Sequence, residues 1–203
     1  VVIFDFDGVI ADSFDVFFQA FSSVCSDMGF HRLNSEEAML KLFEGNALRE
    51  LLKIGFPIWR LKKLARTFEP RIDEANAKIA AFDGMPELLG DLAAAFPVYV
   101  VTSNASRTVL RFLDRYAVTG VRGVLGADHE MSKVKKIRGL REGHPHAAAY
   151  YIGDTKGDIV EGKAAGAVTV AAAWGWHPEA TLLEADPDHT VHSPEELRRL
   201  FLP

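Results

Sequence analysis

The stretch Val1-Val2-Ile3-Phe4-Asp5-Phe6-Asp7-Gly8-Val9-Ile10 decides how the rest of the chain is read. Its first four residues are β-branched or aromatic with no polar alternation, the pattern of a strand buried on both faces. Two acids follow two residues apart, a spacing that projects Asp5 and Asp7 the same way on an extended chain. Neighbouring carboxylates repel and lose hydration unless a cation or a shared proton compensates them. A hard cation such as Mg2+, which prefers oxygen ligands, is the simplest compensation. The plain alternative is a strand end carrying two solvated acids.

Three runs like the first come late in the chain: Val98 to Val101, Ala149 to Ile152 and Val168 to Ala171. Helical periods lie between them. Met85 to Phe96 puts Leu88, Leu89, Leu92 and Phe96 on one face, and Ser106 to Tyr116 does the same with Val109, Leu110, Leu113 and Tyr116. Lys156 to Ala165 is a third such segment, closed by Gly166 as a C-cap. Strands alternating with helices of about 10 residues predict an α/β fold whose parallel sheet is covered on both faces. Residues from Phe14 to about Phe82 break this rhythm. Phe17, Phe18, Phe21 and Val24 recur at helical spacing, as do Leu48, Leu51 and Leu52, then Leu61, Leu64 and Phe68, with no strand-like run among them. Gly45, Gly55-Phe56-Pro57 and Pro70 punctuate the stretch into about four short helices. The expected organisation is an α/β core from residues 1–12 and 83–203, with a helical domain, residues 13–82, inserted after the first strand.

Composition bounds the function. Of 203 residues 48% are hydrophobic and 25% charged, which excludes a disordered or collagen-like chain. A net charge of -5 argues against nucleic-acid binding. Cys25 is the only cysteine, so neither an intrachain disulfide nor a cysteine zinc cage can form, and a reducing cytoplasm is expected. No run approaches the roughly 20 apolar residues of a membrane helix, and no basic segment opens a signal peptide.

Three further motifs stand where strands run into helices. Gly153-Asp154-Thr155-Lys156-Gly157-Asp158 places Asp154 at the carboxyl end of its strand and Asp158 one helical turn on. That edge is where ligands bind in open α/β sheets. Asp154 could instead be only a helix N-cap, but a cap does not explain further carboxylates at the same edge. Thr102-Ser103-Asn104 offers small hydroxyl and amide groups with backbone N–H groups at a helix start, a surface suited to phosphate. Taken alone it reads as an ordinary N-cap. The cationic run Lys133, Lys135, Lys136 and Arg138 opens near Ser132, which aims one lysine at the sheet edge and leaves the other cations in water.

Taken in order, these elements resemble the haloacid dehalogenase superfamily of phosphohydrolases over essentially the whole chain. The paired signatures Asp5-x-Asp7-Gly-Val and Gly153-Asp154-x-x-x-Asp158 are specific, whereas Thr102 and Lys133 are weak matches alone. The insertion, followed by Phe82-Asp83-Gly84-Met85-Pro86, is similar to the subfamily with a helical cap of the first type. The resemblance implies a Rossmann-like core and a cap that closes over the sheet edge. It also implies Asp5 as nucleophile, Asp7 as general acid and then base, Thr102 as a phosphoryl contact and Lys133 as the cation that steadies Asp5. Mg2+ would be held by Asp5, the Asp7 carbonyl and Asp154, with Asp158 ligating it or orienting its waters.

Relatives that cleave carbon–halogen or carbon–phosphorus bonds lack an acid at the Asp7 position, so phosphate-ester chemistry is expected. Sugar phosphomutases of the β-phosphoglucomutase type typically carry a His just after the first motif, and Asp12-Ser13-Phe14-Asp15-Val16-Phe17-Phe18 has none. That favours water as the acceptor and a phosphatase of the phosphoglycolate type, acting on a small phosphorylated metabolite as a monomer or homodimer. A non-catalytic member that binds a phospholigand or a partner protein is the reading from another class, and the intact Asp5 and Asp7 speak against it. Substrate-binding candidates are Ser103 and Asn104 on the core and Gly45, Asn46 and Arg49 on the cap, with Trp59-Arg60 a second cap group. Trp174-Gly175-Trp176-His177 ends a core strand and is expected to serve in aromatic packing.

Overall fold

The apolar opening run has no polar face to offer water, and it lies at the centre of a sheet. The computed structural model describes residues 1–76 and 78–202. In chain order the elements begin β1 (Val2–Phe4), β2 (Ala11–Asp12), α1 (Phe14–Asp27), α2 (Glu36–Leu40), α3 (Ala47–Lys53), α4 (Leu61–Asn76) and β3 (Ala80–Ala81). They continue α5 (Met85–Ala95), β4 (Val98–Val101), α6 (Ser106–Arg115), β5 (Gly123–Leu125), α7 (Lys133–Glu142) and β6 (Tyr150–Gly153). The last are α8 (Lys156–Ala165), β7 (Val168–Ala172), α9 (Glu179–Leu183), β8 (His189–Val191) and α10 (Pro194–Phe201). Two units result: Val1–Asp12 with Ala80–Pro203, and Ser13–Ile79.

The first unit is an α/β fold on a six-stranded sheet in the order β5-β4-β1-β6-β7-β8, parallel throughout. Counting its strands along the chain gives the doubly wound order 3-2-1-4-5-6, which reverses direction beside β1. Val2, Ile3 and Phe4 are fully buried, and such burial stabilises by roughly 1.5–3 kcal/mol for each large side chain. Strands β5 and β8 escape the sequence pattern because they are three-residue edge strands, Gly-Val-Leu and His-Thr-Val, without an apolar run. Ala80 and Ala81 pair antiparallel with Asp12 and Ala11. The α/β unit therefore resumes at Ala80 rather than at residue 83, and a short strand does occur within the stretch read as wholly helical.

The second unit is helical. Phe68 meets the stacked rings of Phe17 and Phe21 edge-to-face where α1 packs on α4, beside a core that includes Val24, Cys25, Met39 and Leu51. Ser35 and Asn46 cap α2 and α3, accepting from the N–H of Ala38 and of Arg49. Pro70 lies inside α4 instead of ending a helix, so α4 is longer than the punctuation suggests. Among the described residues no helix is long and apolar enough to cross a membrane.

Candidate active site

All the chemistry-bearing motifs of the α/β unit stand at the carboxyl ends of its strands. Asp5 directly follows β1, where its N–H still donates to Ile152 O at 2.8 Å. Asp154 follows β6, the neighbour of β1 across the point where the strand order reverses. Asp158 sits in the first turn of α8. Carboxylate oxygens of Asp5, Asp154 and Asp158 lie within 4.8 Å of one another, and all three residues are buried.

One cation enters this cluster. Ser132 caps α7, and Lys133, its first residue, donates to Asp5 Oδ2 at 2.8 Å and to Asp158 Oδ1 at 2.7 Å. Three carboxylates against one ammonium leave an excess of two negative charges, which the acids answer differently. Burial, aided by Asp158, pushes the Asp5 carboxyl from 3.8 up to about 8 although Lys133 pulls it down. Burial, with Asp158 and Asp5 nearby, holds Asp154 well above the usual carboxylate range. Burial also works against a charged Asp158, but Lys133, Thr155 and Tyr151 outweigh it and keep that carboxyl low. On Lys133 itself burial opposes the charge, and Asp158 and Asp5 overcome it, so the ammonium persists.

The hydrogen bonds divide the acids by task. Asp158 is saturated: Oδ1 accepts from Lys133 and from Tyr151 Oη at 2.9 Å, and Oδ2 accepts from Thr155 Oγ1 and N. Thr155 and Asp158 form a reciprocal capping box on α8, so the cap is Thr155 and not Asp154. Asp154 Oδ2 accepts from Trp176 N at 2.7 Å, whereas its buried Oδ1 has no hydrogen-bond partner among the described residues. An orphaned buried carboxylate oxygen beside two more acids fits a hard divalent cation such as Mg2+. Asp5 and Asp154 are the acids with capacity to hold it. Gly8 is fixed by the same crowding: at φ +73° a Cβ there would lie 1.8 Å from Asp154 Oδ2.

Asp7 has a separate partner, with Oδ2 accepting from Asn104 Nδ2 at 2.7 Å. Asn104 belongs to the turn after β4, in which Thr102 Oγ1 accepts from Asn104 N at 3.0 Å and Ser103 faces solvent. Thus Asp5, Lys133, Asp154 and Asp158 form one cluster, while Asp7, Thr102 and Asn104 form an adjoining hydrogen-bonded group. Gly45, Asn46 and Arg49 lie in the helical unit, where Asn46 caps α3 and the exposed Arg49 supplies the capped N–H.

Sequence reasoning missed two features. Lys136, expected in water, is 3% exposed and donates to Thr102 O at 2.7 Å and Gly126 O at 3.3 Å. Burial, with Lys133 beside it, lowers its ammonium to about 8. The spacing from Lys133 held the signal, since residues three apart share a helix face. The Trp174–His177 segment does more than pack. Trp176 N and His177 N donate to Asp154, and buried His177 Nδ1 accepts from Lys156 N, which fixes the start of α8.

Comparison with known proteins agrees with this arrangement. The family described as haloacid dehalogenase-like hydrolase matches residues 2–172. A phosphoglycolate phosphatase from Synechococcus elongatus is 25% identical over 201 residues, covering 97% of this chain and 94% of that protein. A haloacid dehalogenase-like hydrolase from Streptococcus pneumoniae superposes with a TM-score of 0.82 at 23% identity, over 99% of this chain and 97% of that one. A predicted phosphatase from Clostridium acetobutylicum gives 0.82 at 18% identity, over 98% and 96%. At such identities the two structures speak for the fold.

Proposed function

Since the chain belongs to the haloacid dehalogenase-like hydrolase family, we propose that it is a Mg2+-dependent phosphatase of small phosphomonoesters, working through an aspartyl phosphate on Asp5. The observation that carries the proposal is the buried cluster of Asp5, Asp154, Asp158 and Lys133, with its orphaned Asp154 Oδ1. Phosphoryl transfer asks for an in-line nucleophile and positive charge around the equatorial oxygens, and little covalent help beyond that.

Asp5 attacks phosphorus while the leaving oxygen takes a proton from Asp7. Asp7 then removes a proton from water, which attacks the aspartyl phosphate, and the P–O bond to Asp5 breaks to release phosphate. Lys133 steers Asp5 and offsets charge on the transferring group, while Asp158 holds Lys133 in place. Asn104 orients Asp7, and the Thr102–Asn104 turn takes the phosphoryl oxygens on the Thr102 hydroxyl and the Ser103 N–H. Asp5, Asp154 and the Asp7 carbonyl would hold Mg2+, which when bound would supply positive charge to keep these acids ionised and to draw electron density from the phosphoryl oxygens. Asp158 acts on its surroundings through Lys133 rather than as a direct ligand, because both its oxygens are already engaged.

The Synechococcus relative makes a short phosphorylated acid the first substrate to try, and choice among esters is assigned to the helical unit through Gly45, Asn46 and Arg49. The test is phosphate release from phosphoglycolate, sugar phosphates and nucleoside monophosphates, with and without EDTA, for wild type and Asp5→Asn. Mg2+-dependent release that the variant abolishes supports the reading. Full activity in Asp5→Asn removes the nucleophile assignment, and isomerisation of a sugar phosphate without net release points to a mutase.

A further inference from the structure

Lys136 is a buried cation that the hydrolytic steps above leave unused. It lies on the same face of α7 as Lys133, but its amine goes to other strands, reaching the carbonyls that follow β4 and β5. Thr102 N donates to Leu125 O at 3.1 Å and Ala127 N to Asn104 O at 2.8 Å, so the two strand ends are already laced together. Ser106 N donates to Asp128 Oδ1 at 2.8 Å and Gly126 N to Ser106 Oγ at 3.0 Å. The approach is close enough that a Cβ on Gly126 would lie 2.4 Å from Ser106 N. Burying a lysine beneath this lacing is unfavourable unless its amine is hydrogen-bonded, and its partners here are the two carbonyls at these strand ends.

A planar trans peptide explains what it does. Holding Thr102 O toward Lys136 forces the N–H of Ser103 to point the opposite way. Thr102 Oγ1 and Asn104 N close the same turn, and Asn104 Nδ2 carries it on to Asp7. We propose that Lys136 is a positioning residue, which sets the Thr102–Ser103 peptide so that the Thr102–Asn104 turn presents its donors to a phosphoryl group. This rests on the reading of that turn as the phosphoryl-binding surface. A neutral amine keeps two protons, enough for both carbonyls, so the hold does not depend on the charge of Lys136.

The experiment compares wild type with Lys136→Met, Lys136→Gln and Lys135→Met, each checked for a cooperative melt. Lys135 is exposed and paired with Glu130, so its loss removes the same charge without the clamp. Amide exchange is followed by mass spectrometry, binding of inorganic phosphate by calorimetry with Mg2+ present, and ester hydrolysis by kcat and KM. In Lys136→Met, exchange should quicken at Ser103 and Asn104 and around residues 124–128 but not elsewhere. Phosphate binding should weaken about tenfold, and kcat should fall about 10- to 100-fold with KM changing much less. Lys136→Gln, which retains a donor, should recover part of this, and Lys135→Met should match wild type. Wild-type exchange and phosphate affinity in folded Lys136→Met overturn the proposal. Should that variant not fold, Lys136→Gln is read by the same measurements, and wild-type values in it overturn the proposal equally. A wild type that neither binds phosphate nor releases it from any ester overturns the phosphatase reading instead, and local exchange at Ser103 and Asn104 then decides the role of Lys136 by itself.

Discussion

The two units bury different things. Inside the α/β unit lie Asp5, Thr102, Lys136, Asp154, Asp158 and His177, none of them more than 5% exposed. The interior of the helical unit is built from phenylalanines, leucines, methionines, Val24 and Cys25, with Ser13 at its first position the buried polar residue among those described, and Asn46 and Arg49 are exposed. A buried polar group is unfavourable without a partner and is stable only where partners are arranged around it. The α/β unit has spent part of its stability on a preset arrangement, whereas the helical unit keeps its core plain and leaves its surface free to vary. The contrast separates a unit that buries ordered, partnered polar groups from one whose interior is almost wholly apolar.

The largest effect that could break this contrast is at Asp5. Asp5→Asn should lower kcat by roughly 10⁴-fold, while the metal-free protein melts no lower than wild type, because a buried acid held at about 8 is replaced by a neutral amide. Paired activity and melting measurements check it, and a large drop in Tm would mean that Asp5 is structural. Next comes Asp154→Ala, which should weaken Mg2+ binding by at least about 100-fold when read by calorimetry. Unchanged affinity would remove Asp154 from the ligand set.

The same acids set the response to pH. A carboxyl raised from 3.8 to about 8 binds its proton more tightly in the folded state. Its contribution to stability is complete below the unfolded value and is lost as pH rises through the folded one. A bound Mg2+ would compete with that proton for the carboxylate, so its affinity should rise across that window and level off above about 8. The gain in Tm on adding Mg2+ should therefore grow with pH, and a gain that is flat over the whole range contradicts the assignment. In the helical unit, Met39→Ala should cost about 2–5 kcal/mol of stability by chemical denaturation, with Mg2+ affinity as in wild type. Smallest of all, Arg49→Ala should change stability by less than about 0.5 kcal/mol yet alter relative KM values across the ester panel. Identical KM ratios would take Arg49 out of substrate choice.

Much of this was legible in the sequence because it was local. The four central strands β1, β4, β6 and β7 advertise themselves by continuous apolar runs, Asp5 and Asp154 by their places where strands end, and Asp158 by its place one helical turn beyond. Strands β5 and β8 were not legible, since an edge strand of three residues is specified by what it pairs with. The fate of Lys136 was hidden for a similar reason. Its helix face could be read from its spacing to Lys133, but the carbonyls it meets close the ends of two strands, one of them 34 residues away in the chain. The sequence left Asp154 a candidate helix cap beside its place at the strand end, and the cap is in fact closed by Thr155 and Asp158, a choice among neighbours that composition does not decide. Pro70 misled because its usual role as a helix stop is overridden within α4.

The place of β1 also bears on how the protein comes into being. Val2 pairs with Val98 on one side and with Tyr150 on the other, so β1 is flanked on both sides only once residue 150 has been made. At the usual pace of translation, β1 waits on the order of 10 s for its second neighbour. Throughout that interval Val2, Ile3 and Phe4 keep at least one edge unpaired and adhesive, the kind of segment a nascent-chain chaperone must shield. Newly made protein should accordingly be more prone to aggregate than the finished molecule, and most so before residue 150 has emerged.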